Sequence, residues 1–526
     1  MKKINLLFVL MLFVFSVSAD IIDIAWETPE ITSKNYSSIL EENREQIEIP
    51  LDAKENHSNS ESYFALQNWP NFKSAFSEFF TSTEKKSSFL SYHSKKKMKD
   101  INFQDDLDLS LETRNYLQSQ KKPMNSGFDF KLVTGYDYFS NSDQYYDFLY
   151  YGIKLSGDIE DKLFFYTNFW AGHFSGDEEY IDQSSLKDSW TQRSDDSTQV
   201  YLDNVSGKLL YQIKPYWSAA IGRGKYEIGN NIGGSIILND DCNDYGYFAT
   251  KFDFSKFYVH FLHASLIADS TLADYKDYPD KYLAVHKFGW KPNDDFELFW
   301  GEHVVYGDRS IDPSYLIPFT YWRGTEHNLS DRDNVFIFAG FNFRPFKRDL
   351  IYTNAIFDEF SKSKFFGNWW GNKYAVQIGN SYQFDRNKNN RITMEFTAIR
   401  PWLYTHKYIQ NKFSNDDVGL GFPLGSNLLN FALEINWEFK RNLSGNLHTS
   451  FTRQGSVGND FSINYDSRPS DSASWLEGNI TDYKRAKFIV DWKPLSHHRL
   501  RVGISALQID EADIEKELSI SYQASY

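Results

Sequence analysis

The sequence predicts an all-β transmembrane barrel of about 18 antiparallel strands (16–20 possible), preceded by a small N-terminal helical segment. Three observations predict this class. Aromatic residues make up 18% of a chain that is only 41% hydrophobic, a composition unusual for a soluble enzyme. Apolar and polar residues alternate over many segments of about ten residues. Short and long connections between these segments also alternate along the chain, as they do in membrane barrels.

The first 19 residues predict a cleaved signal peptide. Residues 1–3 are basic at two positions, residues 4–15 are apolar, and residues 17–19 are small where signal peptidase cuts. An N-terminal membrane anchor is the alternative, although this apolar stretch is shorter than the roughly 20 residues that a helical span needs. The single cysteine, Cys242, has no partner for an intrachain disulfide. We expect export, with the mature chain in the outer membrane of a Gram-negative (diderm) bacterium.

Glycine usage divides the mature chain into two parts. All 29 glycines lie at or after Gly127, and glycine is common in tight hairpins but disfavoured in helices. Residues 20–125 are therefore predicted to form a separate periplasmic segment, partly helical and a possible plug of the barrel. Its clearest helix begins at Pro70 and carries four phenylalanines of residues 72–80 on one face. A partly disordered leader is the alternative.

From residue 126 to the C-terminus, the apolar residues recur with a period of two. Phe128, Phe130 and Leu132 alternate with Asp129 and Lys131, and successive residues of a strand face opposite sides of the sheet. The other clear segments are residues 149–159, 282–290, 374–382, 392–398, 429–439, 486–492 and 518–526. Each strand thus has one apolar and one polar face, which predicts a barrel with an apolar exterior and a wet lumen.

Connector lengths give an independent indication of the same fold. Short polar links lie at residues 214–215, 255–256, 291–295, 344–349, 440–442 and 493–499. Long connectors span residues 172–206, 224–246, 265–281, 306–334, 401–427 and 454–484. A sandwich or a propeller has no reason for this alternation, whereas a membrane barrel has tight turns at one end and long loops at the other. With both termini on the short-turn side, the strand number must be even.

The aromatic residues and the C-terminus fit this class. Tyr and Trp near strand ends are expected to form interfacial girdles, which accounts for the aromatic surplus without a ligand. Residues 518–526 alternate and end on Tyr526, which resembles the C-terminal strand of outer-membrane barrels. Outer-membrane lipid and the barrel assembly machinery are therefore expected partners. The final strand of a soluble β-protein is the alternative.

Charge and motifs argue against other functions. The net charge of −15 disfavours nucleic-acid binding, which needs a basic surface. The sequence contains no Gly-x-Ser-x-Gly elbow and no His-Glu-x-x-His motif, so catalysis of those types is not indicated. The pair His497-His498 lies in a short turn, where solvation is commoner than metal binding. We expect no catalytic residues, no metal and no cofactor, with a barrel-embedded enzyme as a minor alternative.

Several stretches of the barrel carry a family resemblance. They are IGR at 221–223, KYLAVHKFGW at 281–290, FWGEHVVYG at 299–307, DPSYLIP at 312–318 and IFDEF at 356–360. These motifs resemble the capsule assembly protein Wzi family over roughly residues 200–526. The resemblance implies an outer-membrane barrel of 18 strands with a helical element closing its periplasmic mouth. It also implies a surface lectin that takes part in attaching capsular polysaccharide.

The candidate ligand-binding residues are polar side chains around one long loop, with one residue from the earlier Gly-rich stretch. They are Arg223, Glu302, Tyr306, Arg309, Asp333, Asn334 and Asp358. Carboxylates, amides and arginines recognise sugar hydroxyls and acidic glycans through several hydrogen bonds. The alternative is that they organise the loop and the lumen.

The predicted function follows from these elements together. We expect a non-catalytic outer-membrane β-barrel that binds or organises capsular or extracellular polysaccharide at the cell surface. A monomer is favoured. The alternative is a porin-like or substrate-selective outer-membrane channel with the same architecture.

Overall fold

The computed structural model describes residues 126–526 except for short internal gaps. The gaps are residues 160–161, 178–179, 182–190, 197–198, 269–278, 360–363, 365–366, 386–389 and 496. The predicted signal peptide and the predicted periplasmic segment, with its helix at Pro70, lie outside the described residues.

Eighteen antiparallel strands of the described chain form a closed barrel. They are β1 Ser126–Ser140, β2 Tyr145–Ile159, β3 Leu163–Gly176, β5 Gln199–Lys214, β6 Trp217–Gly224, β7 Tyr245–Asp253, β8 Phe257–Leu266, β9 Lys281–Asn293, β10 Phe296–Gly307, β11 Asn334–Phe343, β12 Asp349–Glu359, β13 Lys373–Gln383, β14 Arg391–Ile399, β17 Leu428–Lys440, β18 Leu443–Gly455, β19 Ile480–Leu495, β20 His498–Ile509 and β21 Glu515–Ser525. The predicted fold class is confirmed.

The remaining elements lie in the connections. A short strand, β4 Thr191–Asp196, pairs with β5, and two-residue strands β15 Ser414–Asn415 and β16 Val418–Gly419 pair with each other. One α-helix, α1 Trp322–Asn328, and 3-10 turns at Pro313–Leu316, Ile409–Asn411 and Tyr465–Ser467 complete the described elements. In this part of the chain, no helix is both long enough and apolar enough to cross a membrane.

The barrel closes where its last strand pairs with its first. β21 is antiparallel to β1, with Tyr522 opposite Tyr136 and Ile520 opposite Tyr138. Each other barrel strand pairs with the barrel strand that follows it in sequence. Closure leaves no unpaired edge, so the backbone amides and carbonyls of the barrel strands find partners without water.

The predicted alternation decides which residues face outward. On β1, Phe128 and Leu132 are 69% and 52% exposed, whereas Val133 and Asp137 are 3% and 0% exposed. Odd-numbered residues of β1 therefore point into the barrel and even-numbered ones point out. Outward-facing aromatics gather near the short turns, where Tyr216 and Phe254, for example, stack with ring centroids 6.1 Å apart. An aromatic girdle is present at this end.

The two ends of the barrel differ as the connectors predict. Tight turns and Tyr526 lie at one end, which we call the short-turn end, and the long connections lie at the other, the long-loop end. One long connection, residues 360–372, was missed by the sequence analysis. Two connections at the long-loop end are short, residues 141–144 and 510–514, and both flank the β1–β21 seam.

The lumen differs from the predicted wet interior. Residues 225–244 between β6 and β7 (lumen loop A) and residues 400–427 between β14 and β17 (lumen loop B) are largely buried. They build an apolar core with inward-facing strand residues, which includes Ile236, Leu403 and Phe413 at 0% exposure. The girdles therefore account for only part of the aromatic surplus. Burial of apolar loop side chains stabilises this core as in a soluble protein.

Candidate functional site

Lumen loop A is held by polar side chains of the barrel wall. The Glu395 carboxylate on β14 accepts hydrogen bonds from the amides of Ile232 (2.9 Å) and Gly233 (3.1 Å). Tyr352 on β12 donates its hydroxyl to the same carboxylate at 2.7 Å. On β13, Gln377 donates to the carbonyl of Gly234 at 2.9 Å. These inward-facing residues alternate with outward apolar ones. The strand period therefore directs their polar groups into the lumen, where they form hydrogen bonds with the backbone of lumen loop A.

The two lumen loops also contact each other closely. Tyr404 donates to the carbonyl of Ile236 at 2.7 Å, and the Asn239 amide donates to the carbonyl of Leu420 at 2.7 Å. Gly234 has a φ of +102°, and a Cβ there would lie 2.3 Å from Cδ of Pro423. Only glycine fits this conformation and this distance. The loops thus form one interlocked body inside the barrel.

A third long connection lies on the outside of the barrel. Residues 308–333, which we call the strap, join β10 to β11 and contain α1. Trp300 is 41% exposed on β10, so Glu302 and Tyr306, which share its parity, also face outward. The strap covers them, and its Tyr315 and Trp322 are completely buried against Val304 and Ala284 of the wall. The predicted binding loop therefore packs on the exterior wall.

Glu302 anchors the start of helix α1. Its carboxylate accepts from the amides of Trp322 (2.8 Å) and Arg323 (3.0 Å). The residue that precedes the helix, Tyr321, makes no side-chain cap, so Glu302 supplies the acceptor that a local capping residue normally provides. His286 lies 3.1 Å from the same carboxylate and stacks on the Trp322 ring at 4.0 Å. Glu302 thus has an organising role.

The ends of the strap are joined by a second polar cluster. Arg309 binds both oxygens of Asp333, at 2.8 and 2.7 Å, and its guanidinium lies 4.7 Å from the Tyr306 ring centre. Tyr315 donates to Asp333 at 2.7 Å. The Tyr306 hydroxyl lies 2.7 Å from Nε2 of His263 on β8. A bidentate Arg–carboxylate pair fixes direction as well as distance, so this cluster closes the strap on the wall.

The C-terminal end of α1 and the residues that follow it bring together three possible metal ligands. Glu326, His327 and Asp331 bring one ligand atom each within 4.8 Å of one another, with Glu326 buried. Burial, together with a hydrogen bond to Asp331, raises the pKa of Glu326 to about 8. A protonated Glu326 that shares its proton with ionised Asp331 explains why the two carboxyl groups lie close together, and no metal ion is needed for it. The sequence analysis did not single out these residues.

A cluster of cations and aromatic rings lies at the long-loop end. Arg468 stacks over Trp370 at 3.9 Å, and Lys373 lies 4.5 Å from the Tyr465 ring centre. The rings of Trp370 and Tyr465 are 5.2 Å apart. We call these four residues the rim cluster. Sequence reasoning missed it because its members come from two connections and one strand that only the fold brings together. The pair Trp369-Trp370 was a visible signal in the sequence.

The structure brings together four of the seven predicted binding residues. Glu302, Tyr306, Arg309 and Asp333 meet beneath the strap. Asn334, in contrast, donates to the carbonyl of Asn411 in lumen loop B at 2.9 Å.

The other two predicted residues lie apart. Asp358 pairs with Lys373 of the rim cluster at 3.0 Å. Arg223 is exposed on β6 and donates to the carbonyl of Val205 at 3.1 Å. The seven residues therefore do not form one site, and a role in ligand binding stays a prediction for each.

Comparison with known proteins shows likeness in fold. No protein-family model matches the chain, and no curated protein matches its sequence. Among solved structures, the chain is similar to Wzi of Escherichia coli, described as an outer-membrane protein involved in group 1 capsule assembly and a carbohydrate-binding β-barrel. The identity is 11%, the match covers 90% of this chain and 97% of Wzi, and the TM-score is 0.51.

Two Pseudomonas aeruginosa proteins are also similar to this chain. OccK8 (OprE) has 8% identity, coverage of 76% of this chain and 98% of that one, and a TM-score of 0.45. OprD has 8% identity, coverage of 76% and 95%, and a TM-score of 0.42.

Proposed function

We propose that this chain is a Wzi-like outer-membrane barrel that binds surface polysaccharide at its long-loop end without catalysing a reaction. The observation that carries the proposal is the interlocked pair of lumen loops. Their contacts, such as Tyr404 to Ile236 and Asn239 to Leu420 at 2.7 Å, occupy the space that a wide channel would need. A barrel filled in this way is suited to presenting a surface rather than to conducting solutes. The carbohydrate-binding description of Wzi supports this proposal.

The rim cluster offers the chemistry that an acidic polysaccharide requires. Aromatic faces such as Trp370 stack on the apolar side of a pyranose ring, and arginine pairs with carboxylates. Lys373 is buried and held by Asp358 at 3.0 Å, so Arg468 is the cation of the cluster that a sugar carboxylate can reach. Arg468 is partly occupied by Asp471, 2.7 Å away, which is 79% exposed. An acidic sugar can replace this exposed carboxylate at small cost, because surface ion pairs contribute only about 0–1 kcal/mol.

Glycan binding to a Trp370→Ala variant tests this proposal. We expect the affinity of the refolded full-length barrel for an acidic capsular polysaccharide to fall about tenfold, because truncating a central aromatic contact costs more than about 1 kcal/mol. Trp290→Ala is the matched control, since Trp290 is an exposed aromatic of β9 near the short-turn end. Equal affinities of the two variants, with folding intact, would contradict the proposed site.

A substrate-selective channel is the second candidate function. The observation that favours it is a group of charged lumen-facing residues on β19 and β20. Asp491 accepts from Nε of Arg499 at 2.7 Å and from Nε of Arg501 at 3.3 Å. Such charges select ions in pores. Single-channel conductance of the wild-type barrel in planar bilayers decides between the two, since a large steady conductance supports the channel and its absence supports the lectin.

A further inference from the structure

The outer wall beneath the strap carries polar and charged side chains that the strap shields. His263, His286, Glu302 and Tyr306 face outward on β8, β9 and β10, yet they are 0–8% exposed. Toward the short-turn end of the same strands, outward residues are apolar and exposed, as Phe257 is on β8. Polar and charged side chains are unfavourable on a lipid-facing wall. The strap removes this cost by covering them.

The strap has an inner and an outer face of different composition. Tyr315 and Trp322 point to the wall and are completely buried. Leu316, Ile317, Phe319 and Tyr321 are exposed, with Phe319 and Tyr321 at 62%. Residues 313–321 contain no charged side chain. A connection exposed to water rarely shows so continuous an apolar surface.

The outer face of the strap continues the apolar exterior of the barrel. Phe319 lies 6.0 Å from the ring of Phe252 on β7, three strands from the β10 end where the strap begins. Phe252 stacks in turn on Trp217 of β6 at 5.6 Å. Phe252 and Trp217 lie beside the short turns, so the strap crosses the wall, extends toward the short-turn end and joins its apolar outer face to that of β6 and β7.

From these observations we infer that the outer face of the strap is immersed in the membrane and contacts lipid acyl chains. The strap replaces the lipid-facing surface of β8–β10 where the strands themselves are polar. Its partner is thus the hydrocarbon of the membrane, and a second copy of the chain is the competing occupant that the experiment separates. The inference rests on the proposed membrane location of the barrel.

Fluorescence quenching by brominated lipid tests the inference. The full mature chain carrying Cys242→Ser receives one new cysteine, labelled with an environment-sensitive fluorophore and reconstituted into phosphatidylcholine vesicles with or without mid-chain bromine. The positions are Phe319→Cys on the strap, Phe248→Cys on the outward face of β7, and Ile463→Cys in the connection at residues 456–479. Phe248 and Ile463 are both exposed, at 47% and 39%. Leu316→Cys provides a second strap position.

The four positions give distinguishable results. We expect the probes at Phe319 and Leu316 to lose as large a fraction of emission as the probe at Phe248, while the probe at Ile463 keeps its emission. Strap probes quenched no more than that at Ile463, while Phe248 is quenched, would overturn the inference and leave the barrel in the membrane. Disulfide crosslinking of two copies through Phe319→Cys with low quenching would assign the face to a second copy. Loss of quenching at Phe248 as well would refute the membrane location itself.

Discussion

Replacing Glu302 with alanine should detach the strap from the barrel wall. The carboxylate accepts the Trp322 and Arg323 amides at 2.8 and 3.0 Å and lies 3.1 Å from Nε2 of His286. Its removal leaves these buried donors without an acceptor, because Tyr321 offers no side-chain cap in its place. Leaving buried hydrogen-bond donors without their charged acceptor strongly destabilises the folded state.

The size of the effect follows from these contacts. A hydrogen bond to a charged group contributes about 1.5–3 kcal/mol. Glu302→Ala removes two such bonds, from the Trp322 and Arg323 amides, so we take about 3–5 kcal/mol as their combined cost. At about 1.4 kcal/mol per factor of ten, the detached population of the strap rises about a hundredfold to a few thousandfold.

Hydrogen exchange measured by mass spectrometry on the reconstituted barrel reports this population directly. Exchange of the Trp322 and Arg323 amides should accelerate by the same factor, while strand amides keep their protection. Glu297→Ala is the matched control, because Glu297 lies on the same strand but faces the lumen and contacts Asn342 at 3.0 Å. Unchanged exchange at α1 in Glu302→Ala, or equal acceleration in the control, would refute the assigned role of this carboxylate.

Three further predictions concern other buried groups. The pKa of Glu326 is about 8 in the folded chain and 4.5 without its surroundings. Between these values only the folded chain keeps the proton, so stability should fall as pH rises from 4.5 to 8, and denaturant titrations should show this slope weakened in Glu326→Gln. Glu395→Ala removes the acceptor of two lumen loop A amides and should raise planar-bilayer conductance, whereas a conductance equal to wild type would mean that the loop is held otherwise. Cys242 is fully buried and should react with maleimide only in denaturant; rapid labelling of the native barrel would contradict the placement of lumen loop A.

The strands were predictable because their signal is local. Alternation along segments such as residues 429–439 fixes both the strand and the side that each residue faces, and the observed β17 Leu428–Lys440 agrees within one residue at each end. Connector lengths gave the two ends of the barrel for the same reason. Neither inference requires knowledge of distant contacts.

The destinations of the long connections were not predictable in this way. Lumen loop A folds inward and the strap folds outward, and the choice depends on partners such as Glu395 and Glu302 on other strands. One signal was available in the sequence. Trp300 and Glu302 are two residues apart and so share the outward face of the strand. A charged side chain on a lipid-facing surface is costly, which indicates that another part of the chain covers Glu302. Four of the candidates, at residues 302–333, do meet in the structure, but no local pattern placed them on the exterior.

The interlocked loops have a consequence for how the cylinder assembles. Lumen loop A leaves after β6 and lumen loop B leaves before β17, with eight barrel strands between these two. Their shared core can form only after these eight strands have paired. Its contacts join residues that are far apart in sequence, so the core should form late in folding. The seam between β21 and β1 carries only short connections. The contacts that join the first and last strands therefore do not depend on the core of the two lumen loops.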